Sequence, residues 1–315
     1  MAEPTRTAPA PTGGGSSRDS VALGVQVGAL AYLIWGFLTV YWKQLSAFDA
    51  LELIGWRMIG AAVVTAAIVS VRGTWGILGV AFVDRAVVRR LVAAALLLTA
   101  NWTAYVWAVT NDRVIETALG YFMAPLATMA IGVLVLHEQP TSAQRLAFAC
   151  ASVAVVILTV SAGRPPWIAL VLAATWSLYG LSKRRLDLGP VEGLAGETLI
   201  MVIPAIVFLI VMSTRAGSVV DAAGSADWVF VLGTGVVTAV PLMMFAFAAK
   251  SIPFTLLGPL NLIVPVVNFG LGWLVYGEPM PADRVVGFAF VWIALIAVMT
   301  ERIAAARRGR PASAA

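Results

Sequence analysis

Four ionisable residues interrupt the long apolar segments of this sequence, namely Arg57, Glu116, Glu192 and Glu197. A charged side chain at the centre of a membrane-spanning helix costs about 2.5–3.5 kcal/mol on insertion scales, so it faces the protein interior or a water-filled cavity. There it binds an ion or a polar solute, or it anchors the fold. Glu192 lies almost at the start of its segment and is interpreted as a helix cap. Both roles stay open for the other three, and Glu116 has capping of its helix as the alternative.

Polar and aromatic side chains share helix faces at regular spacing. At 100° per residue, Asn101, Trp102 and Tyr105 fall within one arc of about 100°. Helical spacing gives three further mixed faces, which are Tyr32, Trp35, Thr39 and Trp42; Trp176, Tyr179 and Lys183; and Asn261, Asn268 and Gly272. Such a face is either core packing or the wall of a site for an amphipathic small molecule. The candidate substrate-binding residues are Trp35, Arg57, Asn101, Trp102, Tyr105, Glu116, Trp176, Glu197 and Asn268.

Small residues accompany two of the charges. Gly60 and Ala61 share the predicted helix face of Arg57, and Gly120 shares that of Glu116. Small residues let a neighbouring helix approach closely inside a membrane. We therefore expect close helix packing on both faces.

The sequence lacks the motifs of several chemistries. His137 and Glu138 resemble the start of a zinc-protease motif, but position 141 is Thr, so the second ligand is missing. The single Cys150 excludes an intrachain disulfide and is interpreted as a small core residue. No P-loop motif for ATP and no nucleophile elbow occur. We therefore predict a protein that is not an enzyme and has no catalytic residues, metal or cofactor.

Composition indicates an integral membrane protein. The chain has 315 residues, of which 60% are hydrophobic and 12% are charged, whereas soluble domains carry roughly 25% charged residues. A spanning helix needs about 20 mainly apolar residues. The predicted fold is all-α, with ten transmembrane helices at 22–42, 50–71, 87–109, 114–136, 143–161, 166–183, 190–212, 228–249, 254–276 and 283–302.

The distribution of Lys and Arg predicts the orientation. With ten spans, 15 of these residues lie on the side of the termini and 5 on the other side, with Arg57 inside a span. The excess places both termini in the cytoplasm. Residues 1–20, rich in Pro, Gly, Ser and Thr, are predicted to be a disordered tail, and 303–315 a basic tail.

An internal repeat relates the two halves of the chain. Identical residues recur at an offset of 140 positions, namely Lys43/Lys183, Glu52/Glu192, Pro125/Pro265, Gly132/Gly272, Glu138/Glu278 and Phe148/Phe288. The halves, 22–161 and 166–302, contain five predicted helices each. Because five is odd, the second half is inverted relative to the first. Inverted repeats are typical of secondary transporters, which bind substrate near the midplane between the repeats.

Several segments resemble one family of transporters. They are "AYLIWGFLTVYWK", "NWTAYVWAVTN", "ETALGYFMAPL", "GVLVLHEQ" and "GPLNLIVPVVNFGLGWLVYGEPM". They are similar to the RarD-like permeases, in the EamA branch of the drug/metabolite transporter superfamily. The resemblance covers nearly all of 22–302 and implies two inverted EamA repeats, a permease role and an inner-membrane location. It departs at Pro259-Leu260-Asn261, where an aromatic residue or Gln is expected.

Together these features predict a secondary-active transporter that moves a small amphipathic metabolite or drug across the cytoplasmic membrane by alternating access. The alternatives are a membrane scaffold or regulatory protein and an intramembrane enzyme. The expected partners are a small-molecule substrate and the lipid bilayer, without nucleic acid, and a homo-oligomer is left open. We predict that Trp35, Asn101, Tyr105 and Trp176 line one cavity between the halves. From depth alone, the partner expected for Arg57 is Glu116 rather than Glu197, or else a substrate anion.

Overall fold

The computed structural model describes residues 14–307 except 136, 138, 185 and 252–259. The regular elements within these residues are all helical. In chain order they are α1 (Gly14–Lys43), α2 (Ala50–Arg72), α3 (Trp75–Val83), α4 (Arg85–Thr110), α5 (Val114–Val135), α6 (Ser142–Ala162), α7 (Trp167–Arg184), α8 (Pro190–Met212), α9 (Val219–Ala222), α10 (Ser225–Ser251), α11 (Ile263–Gly270) and α12 (Ala282–Arg307). A π-helical turn, Leu271–Val275, continues α11.

Eight of these helices are long and apolar enough to cross a membrane, namely α1, α2, α4, α5, α6, α8, α10 and α12. This confirms the prediction of an all-helical, multi-pass membrane protein. Helix α7 coincides with the predicted segment 166–183 but has only 18 residues. The predicted segment 254–276 falls partly on residues outside the described ones, and its described part forms the shorter apolar helix Ile263–Val275.

Two helices extend into the stretches that the sequence predicts as tails. Helix α1 begins at Gly14, inside the stretch 1–20 for which the sequence predicts disorder, and α12 continues to Arg307, into the predicted tail 303–315. Residues 1–13 and 308–315 lie outside the described residues. The physical reason for the longer helices is that a spanning helix already supplies the nucleus, so polar residues extend it at one hydrogen bond per residue.

Two short helices occupy connections between spans. Gly73, with a left-handed φ of 66°, ends α2, and Asp84 caps α4 by accepting from two backbone N–H groups. Between them lies α3, nine residues that are too few to cross a bilayer. Helix α9 occupies the corresponding connection of the second half. Composition marked both stretches only as connections, because neither reaches the length of a span.

The packing of the helices is reciprocal between the two halves. At the offset of 140 residues, α1, α2, α4, α5 and α6 correspond to α7, α8, α10, α11 and α12. Helix α1 packs against α10, and the equivalent pair α7 and α4 also pack together. The same holds for α5 with α7 and for α11 with α1, while α2 packs on α8 and α6 on α12. The protein interior is therefore built mostly from contacts between the halves.

Glycines allow two of these contacts. A Cβ on Gly60 would lie 2.9 Å from the backbone nitrogen of Gly235, so α2 and α10 touch at their backbones. A Cβ on Gly120 would lie 2.9 Å from the Cβ of Leu172 in α7. Both glycines lie where the sequence predicted close helix approach, and the structure confirms it.

Candidate substrate-binding site

The buried cation Arg57 lies between two tryptophans. It belongs to the second turn of α2, and only 5% of its surface is exposed. Its Cζ atom is 3.8 Å from the ring centroid of Trp102 in α4 and 5.2 Å from that of Trp42 at the end of α1. A desolvated cation over an aromatic face gains about 2 kcal/mol. We call Arg57, Trp42 and Trp102 the arginine cage.

No carboxylate of the described residues pairs with Arg57. Glu116 lies 3.6 Å from Arg113 and 3.2 Å from Arg164 instead. Glu197 is paired 2.6 Å from the Nζ of Lys183. The predicted pairing of Arg57 with Glu116 is therefore wrong. Depth was the only basis for it, and depth does not fix the direction in which a side chain leaves its helix.

A buried chain of hydrogen bonds joins four helices next to the cage. The hydroxyl of Thr39 in α1 donates to Oδ1 of Asn268 in α11 at 2.9 Å, and the Tyr105 hydroxyl lies 2.8 Å from it. Because Thr39 has one hydrogen, Tyr105 is the donor in that bond. The amide of Asn268 donates to Thr117 in α5 at 3.3 Å, and Thr117 donates to the carbonyl of Val114. We call Thr39, Tyr105, Asn268 and Thr117 the polar network.

The cage and the polar network meet on helix α4. Trp102 and Tyr105 are three residues apart and therefore lie on one face of the helix. The ring of Tyr105 is 5.9 Å from that of Tyr121 in α5. Of the predicted site residues, Arg57, Trp102, Tyr105 and Asn268 thus form one continuous group that includes both halves of the chain.

Trp35, Asn101 and Trp176 lie in neighbouring contacts. Trp35 packs against Tyr32 and Phe245, with ring centroids 5.4 and 5.7 Å away. The Asn101 amide donates to the Leu172 carbonyl and the Thr175 hydroxyl in α7, while its Oδ1 is buried without a partner. The ring of Trp176 lies 5.9 Å from that of Tyr179. A single cavity lined by Trp35, Asn101, Tyr105 and Trp176 stays a prediction.

Glu197 belongs to a second buried cluster. It is 1% exposed, and it accepts from Lys183 at 2.6 Å and from the Tyr179 hydroxyl at 3.1 Å. The sequence placed Tyr179 and Lys183 on one helix face, and both contact the same carboxylate. Glu197 and Arg57 occupy equivalent positions of the two halves, so the repeat carries opposite charges at this place.

Glu116 lies at the edge of a separate cavity of about 150 Å³. Arg164 and Arg284 also line this cavity, and none of its lining residues belongs to the arginine cage or the polar network. Glu116 lies in the first turn of α5, where arginines of two loops reach it. Both alternatives from the sequence, a cap and a polar site, are compatible with this place.

Two other buried glutamates hold helix ends. Glu52 accepts from the backbone nitrogen of Val219 at 2.9 Å, and Glu278 accepts from those of Val114 and Ile115. Burial raises the pKa of Glu278, although the two N–H groups oppose the shift. Glu192, the repeat equivalent of Glu52, lies in the first turn of α8, and its carboxylate is 3.6 Å from the guanidinium of Arg72 at the end of α2. These contacts give the repeated glutamates a structural role.

Sequence reasoning missed part of the site. Thr39 and Trp42 were on a predicted mixed face but were not among the candidates, and helical spacing from Trp35 was the signal available for them. Thr117 and Tyr121 had no such signal, because an isolated Thr or Tyr in an apolar helix is common. Within the described part of the chain, no three His, Cys, Asp or Glu side chains come together as they would to hold a metal ion.

Comparisons with known proteins identify the family. The model of the EamA-like transporter family matches residues 22–160 and 165–300. Protein RarD of Streptomyces exfoliatus is 38% identical over 288 residues, which are 91% of each chain. An uncharacterized transporter of Pseudomonas aeruginosa is 34% identical over 86% of this chain and 91% of its own. A crystal structure that is 18% identical shares the fold, with a TM-score of 0.54 over 89% of this chain and 96% of its own.

These matches confirm the resemblance found in the sequence motifs. The two matched ranges cover both halves of the internal repeat, and the relatives match over nearly their whole length. The chain therefore belongs to the EamA-like transporter family and is a multi-pass membrane transporter built from two EamA repeats.

Proposed function

We propose that this transporter is a secondary-active permease that moves a small amphipathic metabolite or drug across the cytoplasmic membrane by alternating access. The observation that carries the proposal is the polar network, because it joins helices of both repeats through buried side chains. Secondary transporters bind substrate near the midplane at the interface of their repeats. A polar network that crosses this interface provides groups that a substrate can bind and that separate when the repeats move.

Ten spans in two inverted halves form the second part of the proposal. Helix α7 has 18 residues and is about 27 Å long, close to the thickness of about 30 Å of the hydrocarbon core. Segment 254–276 supplies the tenth span. Five spans per half require inversion, and the reciprocal packing of the halves supports a two-fold relation between them. The count of 15 against 5 Lys and Arg residues supports cytoplasmic termini.

The nine candidate residues divide by position in this proposal. Arg57, Trp102, Tyr105 and Asn268 form the central binding group, and Asn101 offers a buried acceptor without a partner. Trp35 contributes an apolar wall. Glu116, Trp176 and Glu197 lie in other contacts, and we assign them to the access routes that lead to the central group.

A matched pair of variants in proteoliposomes tests the proposal. Thr39→Val keeps the shape of the side chain but removes the hydroxyl that bonds to Tyr105 and Asn268. Thr159→Val is the control, because the Thr159 hydroxyl bonds, among the described residues, only to the carbonyl of Val155 in its own helix. We expect counterflow of labelled solutes by the wild type and Thr159→Val, with a reduction of about 10-fold or more in Thr39→Val.

The alternatives give different results in the same assay. A scaffold protein would catalyse no counterflow of any solute in a broad panel of labelled metabolites and drugs. An intramembrane enzyme would release altered solutes, which mass spectrometry detects. Equal counterflow by Thr39→Val and the wild type would show that the polar network does not take part in substrate binding.

A further inference from the structure

We propose that the arginine cage binds a carboxylate, so that the substrate is a small organic monoanion with an apolar body. This inference rests on the proposed transport function and specifies its substrate. It follows from three features of the cage: an uncompensated charge, hydrogen-bond donors without acceptors, and aromatic walls.

The charge of Arg57 has no counterpart in the described residues. The buried carboxylates of the described residues each contact another group and none forms an ion pair with Arg57, although Oε2 of Glu52 is buried without a hydrogen bond. Glu197 binds Lys183, Glu116 binds two arginines, and Glu52 and Glu278 bind backbone N–H groups. A buried cation in a membrane protein is paired as a rule, or it marks the route of a ligand. The missing partner of Arg57 is therefore an anion that comes from outside the chain.

Two buried donors in the cage lack acceptors. Both the Nε atom of Arg57 and the Nε1 atom of Trp42 are buried and make no hydrogen bond to the part of the chain that the structure describes. The two side chains are in contact, since the guanidinium lies over the Trp42 ring. Buried polar groups are nearly always hydrogen-bonded. A carboxylate satisfies this arrangement, because it has only acceptor sites and can bind several donors at once.

The charge count favours a monoanion over a phosphate-like dianion. The cage offers one positive charge, and the equivalent place in the second repeat offers Glu197, already neutralised by Lys183. A dianion would therefore keep one uncompensated negative charge in a medium of low dielectric constant, which is costly. Trp42 and Trp102 line the guanidinium with apolar surface, and the Tyr121 ring extends that surface beyond Tyr105. An aromatic or aliphatic body fits these walls.

Direct binding to the purified full-length protein in detergent tests the inference. The probes are phenylacetate, indole-3-acetate and hexanoate, and phenylacetamide is the uncharged analogue of the first. Tryptophan fluorescence reports binding, because Trp42 and Trp102 contact the guanidinium, and the shift in melting temperature is the second readout. We expect at least one carboxylate to bind saturably, and phenylacetate to bind about 10- to 100-fold more tightly than phenylacetamide.

Variants separate the role of Arg57 from a general effect of charge. We expect Arg57→Gln to abolish the preference for the acid over the amide. Arg57→Lys keeps the charge without the planar fork and retains only part of the preference. Arg145→Gln is the matched control, since it also removes an arginine but an exposed one that contacts the Ser142 hydroxyl of its own helix. This control keeps the full preference.

Several results would overturn the inference. They are equal binding of acid and amide by the wild type, an unchanged preference in Arg57→Gln, and the absence of saturable binding for all three carboxylates. Tighter binding of benzylphosphonate at pH 8 than of phenylacetate overturns the assignment of a monoanion. If Arg57→Gln does not fold, Arg57→Lys and the comparison of acid with amide in the wild type decide.

Transport is measured separately by counterflow in proteoliposomes. Carboxylate binding that depends on Arg57, together with no counterflow of any solute, would overturn the proposed transport function and leave the anion site intact. Counterflow that is equal for acid and amide and unchanged in Arg57→Gln would overturn the anion site and leave transport intact.

Discussion

The contact between Gly60 and Gly235 allows a quantitative prediction for Gly235→Ala. At this point α2 and α10 approach so closely that a methyl group on Gly235 would overlap the carbonyl group of Gly60. In the opposite direction, a Cβ on Gly60 would lie 2.9 and 3.0 Å from the backbone N and Cα of Gly235. Backbone atoms cannot rotate away as a side chain can. The two helices must therefore separate to admit the methyl group.

The magnitude follows from comparison with Gly180→Ala in α7. A Cβ on Gly180 meets no heavy atom within 4 Å. Both substitutions gain the higher helix propensity of Ala, about 0.5–1 kcal/mol. Only Gly235→Ala adds overpacking, which costs about 1–3 kcal/mol. The difference between the two variants is then about 1–3 kcal/mol in the free energy of unfolding, or roughly 2–10 °C in Tm.

The assay is thermal unfolding of both variants and the wild type in the same detergent. Unfolding is measured as the loss of monodisperse protein. We expect Gly235→Ala to melt below the wild type and Gly180→Ala to melt at the same temperature or above it. The reasoning is refuted if Gly235→Ala melts at or above Gly180→Ala, because the helices would then have room that the structure does not show.

Three further predictions concern charge and topology. Burial raises the folded-state pKa of Glu278 above its usual value of 4.5, so stability should fall as pH rises from that value through the folded pKa, and Glu278→Gln should flatten this fall in Tm measured against pH. Lys183→Met strands the buried carboxylate of Glu197 and should cost about 3–5 kcal/mol, seen as a lower Tm, while the double variant with Glu197→Gln should recover most of it. Reporter fusions at residue 315 and in the loop 213–227 should report the cytoplasm and the outside respectively, and the reverse pattern would contradict the proposed orientation.

The reciprocal packing gives the opposite charges at positions 57 and 197 a physical context. Helices α2 and α8 are equivalent in the two repeats and pack directly against each other. One carries Arg57, which forms no ion pair with any described carboxylate, and the other carries Glu197 paired with Lys183. The scaffold is thus nearly symmetric, whereas the charges that face its interior are not. Sequence divergence at equivalent positions can adapt one duplicated fold to a ligand of a single charge.

The sequence by itself determined the features that depend on local composition and periodicity. Apolar length predicted the eight long spanning helices, because a bilayer requires about 20 apolar residues to cross it. The offset of 140 residues fixed the two repeats. Helical periodicity correctly placed Tyr179 and Lys183 on one face, where both contact Glu197. It also placed Trp102 and Tyr105 together, because their relative angle is set within a single helix.

Only the tertiary structure decided which faces meet. The sequence gives no rotation of one helix about its axis relative to another, so depth alone assigned Glu116 to Arg57, although loop arginines reach Glu116. The bond from Thr39 to Asn268 joins residues 229 positions apart, and its existence depends on α1 packing against α11. Among the described residues, the lack of an ion pair at Arg57 likewise became evident only from the tertiary structure, which places Glu116 beside Arg113 and Arg164 and Glu197 beside Lys183. Partner choice in a helical bundle depends on helix rotation and packing, which local periodicity does not contain.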